Sequence, residues 1–180
     1  MLWLALATLV GFGGLGCLLI VLQERDLVAV LLGSDHRWLM LGLGVGYGVI
    51  ASFGAWWIIA RPSMTAVRMK YAALIGPLVP SRWMQVCVSI CAGVGEEILF
   101  RGALQHWCGI LLTALGFVAL HGYINPRDMR ITIYGIYLTI AMVGLGFIAR
   151  EYGLLAPMVA HTVIDIILLH LLVREWRKQG

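Results

Sequence analysis

Ile131–Ala149 reads ITIYGIYLTIAMVGLGFIA, nineteen residues without a single charge. A helix needs about 20 mainly apolar residues to cross the hydrocarbon core of a bilayer, so this stretch reads as a span. Two more stretches pass the same test unaided, since Met1–Leu22 and Trp38–Ala60 carry no Asp, Glu, Lys or Arg. Around them the chain offers about Ser81–His106, about Gly109–Gly122 and about Leu154–Val173. The expected fold is therefore all-α, a polytopic transmembrane helix bundle of about six spans. Arg61–Pro80 is too broken for a span, with Arg61, Arg68, Lys70 and prolines at 62, 77 and 80. It reads as an interfacial helix followed by a short dip or turn. Asn125-Pro126-Arg127-Asp128 is a strong breaker between the fourth and fifth spans.

Composition supports the same class. The 180 residues are 61% hydrophobic and 12% charged, where soluble domains carry about 25% charged residues. The mean hydropathy is +0.92. This excludes an ordinary soluble domain, and the lipid bilayer becomes the medium in which the chain works. The net charge of +4 follows from topology and gives no case for a nucleic-acid partner. Nine Lys and Arg fall on one side of the spans and three on the other, with Arg101 inside a span. Both termini are thus expected on the cytoplasmic side. No basic residue precedes Leu2, and the first charges are Glu24, Arg25 and Asp26. Met1–Leu22 therefore reads as a retained first span rather than a cleaved signal. Trp83, Trp107 and Trp176 fall near span ends, as interfacial aromatics do. Cys87 and Cys91 are one helical turn apart, a spacing that could suit a metal. All four cysteines, Cys17 and Cys108 included, read better as small packing residues in apolar surroundings. There is no internal repeat or linker, and residues 1–180 read as one membrane domain. Glycines such as Gly42, Gly44 and Gly46 read as points of close helix approach.

Against this background the ionisable residues inside the spans stand out, because each costs about 2.5 to 3.5 kcal/mol at mid-bilayer on insertion scales. The third span carries Glu96, Glu97 and Arg101, the fourth ends with His121, and the sixth holds His161 and Asp165. Glu97 and Arg101 are spaced i, i+4 with the acid first, the favourable order for a pair. His161 and Asp165 share a face in the same way. Glu96 is rotated about 100° from Glu97, so Arg101 can hold Glu97 while Glu96 faces the histidines. Peptide hydrolysis needs an activated water, a stabilised oxyanion and a proton for the leaving amine. Glu96 beside His121 could hold and deprotonate that water, with His161 and Asp165 placed near the carbonyl oxygen. Each residue also has a plainer role: Glu97–Arg101 as a structural ion pair, and His161 as a hydrogen bonder between helices. His106 and His170 read as interfacial and His36 as a loop residue.

The three constellations resemble those of the CPBP family, the CAAX proteases and bacteriocin-processing enzymes. Glu96-Glu97-Ile98-Leu99-Phe100-Arg101 is similar to the family's Glu-Glu-x-x-x-Arg motif, Phe117 to His121 to its Phe-x-x-x-His, and His161 to Asp165 to its His-x-x-x-Asn/Asp. The resemblance covers about Ser81–Leu172, which it marks as the catalytic core. It implies a glutamate-type intramembrane endopeptidase without a cofactor, acting on a membrane-anchored protein or peptide. Carried over by position, Glu96 would be the water-activating base and His121 its partner. His161 and Asp165 would form the oxyanion site, and Glu97 with Arg101 would support the geometry. Asp165 stands where Asn is common, and an ionised Asp would repel an oxyanion. It must then be protonated, orient His161, or bind a metal. Substrates in the family are prenylated CAAX proteins, bacteriocin-related peptides or C-terminal sorting anchors. The short chain resembles the compact bacterial members, which implies a bacterial cytoplasmic membrane. Three rivals remain: a protease using the same residues as zinc ligands, a transporter, and a non-catalytic immunity or scaffold protein.

Overall fold

A computed structural model describes residues 1–33 and 36–178, and among these there is no strand. The helices are α1 (Leu2–Leu22), α2 (Leu27–Leu32), α3 (Arg37–Ile59), α4 (Thr65–Ile75), α5 (Arg82–Glu97), α6 (Gln105–Leu120), α7 (Met129–Tyr152) and α8 (Leu155–Arg177). Five helical stretches among the described residues are long and apolar enough to cross a membrane. The chain is an integral membrane protein with a polytopic helical fold. Its outside is apolar, with Trp3 83%, Leu120 77% and Ile50 74% exposed, while Glu97 is fully buried. That inverts the pattern of a soluble domain.

One of the five stretches is 39 residues, Arg82–Leu120, too long for one crossing at about 1.5 Å per residue. It is broken at Gly109, whose φ of 73° and ψ of 171° lie outside the helical region. A side chain would be strained at that φ, so glycine suits the reversal. The two limbs fold against each other: the rings of Phe100 and Phe117, nearly equidistant from Gly109, sit 4.9 Å apart edge to face. The third and fourth spans are thus two limbs of a hairpin, and the second limb is short. The same register brings His121 level with Glu96.

Within the first limb, Ile98–Leu104 is π-helical, a local widening that recurs at functional sites. Its carbonyls receive side chains from the end of α1: Gln23 Nε2 donates to Ala103 O at 3.1 Å and Arg25 Nη1 to Gly102 O at 2.7 Å. Neither this segment nor α2 has a signal in the reading of the sequence above. The region between Arg61 and Pro80 does form the expected helix, α4, flanked by 3₁₀ turns at Pro62–Met64 and Gly76–Leu78.

Helix contacts follow the small residues. A Cβ on Gly44 or Gly48 of α3 would stand 2.6 Å from Ala156 O or 2.7 Å from Ala160 O, so α3 and α8 pack backbone to backbone. On the other flank a Cβ on Gly95 would meet Leu9 Cα at 2.8 Å, which ties α5 to α1. α3 and α7 are joined by reciprocal hydroxyls, Tyr47 donating to Ala141 O at 2.7 Å and Tyr137 to Ala51 O at 2.8 Å. Ser81 caps α5 and Asp128 caps α7, each accepting a backbone N–H of the first turn. The result is a rigid frame around the C-terminal end of α5, where the polar residues gather.

Candidate active site

Glu97 is the innermost charge. Its Oε1 accepts from Arg101 Nη1 at 2.9 Å and lies 2.8 Å from His161 Nδ1. The pair with Arg101 is one helical turn apart, as its spacing requires. The bond to His161 crosses from α5 to α8 and was not foreseeable from spacing. Arg101 is closed in by Met142 Sδ at 2.9 Å and by the Phe117 ring, 4.7 Å from the guanidinium carbon. A buried carboxylate with a guanidinium at its side is an acceptor, so His161 Nδ1 carries a proton and donates it to Glu97.

His121 is fixed by the same logic. Its Nδ1 lies 2.8 Å from Phe117 O, and a carbonyl can only accept. Both imidazoles therefore turn Nδ1–H outward to a fixed acceptor and present Nε2 inward. The two Nε2 atoms converge on one oxygen: Glu96 Oε2 is 3.5 Å from that of His121 and 3.9 Å from that of His161. Asp165 Oδ2 completes the ring at 3.8 Å from His161 Nε2. Among the described residues, Glu96 Oε2 and Glu97 Oε2 are both buried without a hydrogen-bond partner, but only Glu96 lines the site's cavity. These separations exceed direct hydrogen bonds and match groups that would share a small bridging molecule.

All six residues marked in the sequence are brought together, in two layers. Glu97 and Arg101 are sealed, with 0% and 1% of their side chains exposed. Glu96, His121 and Asp165 line a cavity of about 350 Å3 with His161 at its wall. His121 is the most accessible, with 36% of its side chain exposed against 11% for Glu96. The cavity is walled elsewhere by apolar residues of α1, α5 and α8, such as Leu4, Val88 and Leu168. Phe117 is the hub that the spacing does not reveal: its ring contacts Phe100, His121 and His161, and its carbonyl holds His121. Tyr123 and Tyr134 also line the cavity.

Two carboxylates face His161: Glu97 at Nδ1, 2.8 Å away, and Asp165 at Nε2, 3.8 Å away. His106 and His170 are exposed and stand apart from the cavity. The four cysteines are free thiols. Among the described residues no three His, Cys, Asp or Glu side chains are placed to hold a metal ion.

A family model described as type II CAAX prenyl endopeptidase Rce1-like matches residues 78–167. No curated protein and no solved structure matches the chain.

Proposed function

Because the chain belongs to the Rce1-like family of type II CAAX prenyl endopeptidases, a family of membrane proteases, we propose that it hydrolyses a peptide bond of a membrane-anchored protein by a glutamate-activated water. The observation that supports this most is the convergence of two Nε2 atoms and the Glu96 carboxylate on one cavity.

A water between Glu96 Oε2 and His121 Nε2 meets two acceptors, because His121 Nδ1 already holds its proton against Phe117 O. Both water hydrogens are then engaged, and an oxygen lone pair is left for the scissile carbonyl. Glu96 takes one proton as the water oxygen bonds to the carbonyl carbon, and it later returns that proton to the leaving amine. In a site shielded from bulk water such proton transfers need no solvent rearrangement.

The negative charge on the carbonyl oxygen meets His161. With Nδ1–H given to Glu97, the ring donates Nε2–H to the oxyanion in its imidazolium form. Carboxylates at 2.8, 3.8 and 3.9 Å, from Glu97, Asp165 and Glu96, balance that charge. Asp165 then acts through His161 and does not approach the oxyanion itself. Residues 81–172 form the catalytic core in this reading, the substrate is a prenylated CAAX protein or a protein with a C-terminal anchor, and no cofactor takes part.

The test is cleavage of a prenylated CAAX peptide and of a C-terminal anchor peptide in proteoliposomes, with and without a zinc chelator. Wild type should cut at least one of them and keep its rate in chelator, and Glu96→Gln should cut neither. Loss of the wild-type rate on chelation, with recovery on added zinc, would replace this reading by the metal-dependent one.

A further inference from the structure

On the end of the bundle where α5 begins and α8 ends, a second cavity of about 510 Å3 lies between the two helices. It is lined by Arg82 and Gln85 of α5, His170, Arg174 and Arg177 of α8, and Lys178 just beyond it. Among the described residues no carboxylate lines it. The nearest acid in sequence, Glu175, is engaged by Arg68 at 3.2 Å and by Lys178 at 2.5 Å. Arg177 spends one N–H on Pro80 O, at 2.6 Å, and its other donors are uncommitted. Among the described residues, Arg82 and Arg174 make no ion pair or side-chain hydrogen bond. The floor is Gln85, 3% exposed and fixed through Nε2 to Val79 O at 3.1 Å.

Lys178 is already paired with Glu175, but Arg82, Arg174 and Arg177 remain around one cavity and repel each other unless an anion sits among them. α5 adds to the field, because Arg82 is its first residue and a helix N-terminus carries partial positive charge. Guanidinium groups present paired donors that match phosphate oxygens. The depth of the cup is marked by Trp83, 73% exposed beside Arg82, since exposed tryptophans settle at the headgroup level of a bilayer. Basic pockets between helices at this depth are the sequence-readable form of headgroup recognition.

We propose that this cup binds a phosphate-bearing anion, supplied either by the headgroup of an acidic phospholipid or by phosphate in solution. The site is separate from the cavity at Glu96 and does not depend on the chemistry there.

The experiment follows the unfolding midpoint of the full chain in a neutral detergent while phosphatidylglycerol, phosphatidylcholine or inorganic phosphate is added. Phosphatidylglycerol should raise the midpoint and phosphatidylcholine should not. An Arg82→Gln/Arg174→Gln variant should need on the order of tenfold more phosphatidylglycerol, or still more, for the same rise, given two lost charge-assisted contacts. A Lys70→Gln/Arg127→Gln variant, which removes equal charge outside the cup, should follow wild type. If inorganic phosphate reproduces the rise, the cup takes the free anion; if only the lipid does, it takes the headgroup. An unchanged response in the Arg82/Arg174 variant, or an equal rise with phosphatidylcholine, overturns the proposal. Should that variant not fold, native mass spectrometry of wild type decides: selective retention of one phosphatidylglycerol supports the cup, and equal retention of both lipids overturns it.

Discussion

Glu96 and Glu97 are neighbours in sequence, yet they serve two different regions. Glu97 faces a sealed layer in which every partner is fixed: Arg101 at 2.9 Å, His161 at 2.8 Å, and Met142 and Phe117 closing over the guanidinium. Glu96 faces an open layer where the contacts to His121 and His161 are 3.5 and 3.9 Å. The difference teaches how a membrane protein can keep a reactive carboxylate. The sealed layer pairs Glu97 Oε1 with both Arg101 and His161 and so holds the histidine tautomer. The open layer sets the Glu96 carboxylate on the cavity, whereas Glu97 does not line it. The sealed residues are accordingly expected to control stability and geometry, and the open ones the chemistry.

Breaking the open layer should give the largest effect on rate. His121→Phe keeps the ring contact to Phe117 but removes the nitrogen that faces Glu96. Cleavage should fall by about 10²- to 10⁴-fold, the range of general acid–base contributions, with the unfolding midpoint unchanged. Steady-state rates and a thermal melt on the same preparation check this. Breaking the sealed layer should show the reverse order of effects. Arg101→Leu leaves Glu97 as a buried charge with a single partner, and loss of one member of a buried pair costs about 3–5 kcal/mol. The midpoint in detergent should drop sharply, and any activity left should be assayed below that temperature. The smallest effect sharpens the boundary between the layers. Asp165 is 3.8 Å from His161, with 29% of its side chain exposed, so solvent screens part of its charge. Asp165→Asn should change the rate by less than about tenfold, or about 1.4 kcal/mol. A much larger loss would make Asp165 a direct participant.

Much of this division is legible in the amino-acid sequence. The 3.6-residue period separates Glu96 from Glu97 and pairs Glu97 with Arg101, because both relations are local to one helix. The spans were legible because a bilayer imposes length and apolarity on each crossing. The break between the third and fourth spans falls at Gly109, where the expected boundaries already met. What the sequence could not supply were relations across helices. The bond between Glu97 and His161 joins positions 64 residues apart, and no periodicity links them. The π-helical segment at Ile98–Leu104 depends on carbonyl acceptors being met by Gln23 and Arg25 from α1, which only packing reveals. The role of Phe117 as both ring support and acceptor for His121 was hidden for the same reason. The contact of Glu97 with His161 Nδ1, opposite the side that Asp165 faces, is the clearest gain from the structure.

The central claim is that Glu96 does the chemistry while Glu97 holds the frame, and Glu96→Gln tests it most directly. The substitution keeps the shape of the side chain and removes its basicity. Single-turnover cleavage and the unfolding midpoint should be measured on one proteoliposome preparation of wild type and variant. Cleavage should be lost while the midpoint stays at the wild-type value. A folded Glu96→Gln protein that cuts at the wild-type rate would contradict it.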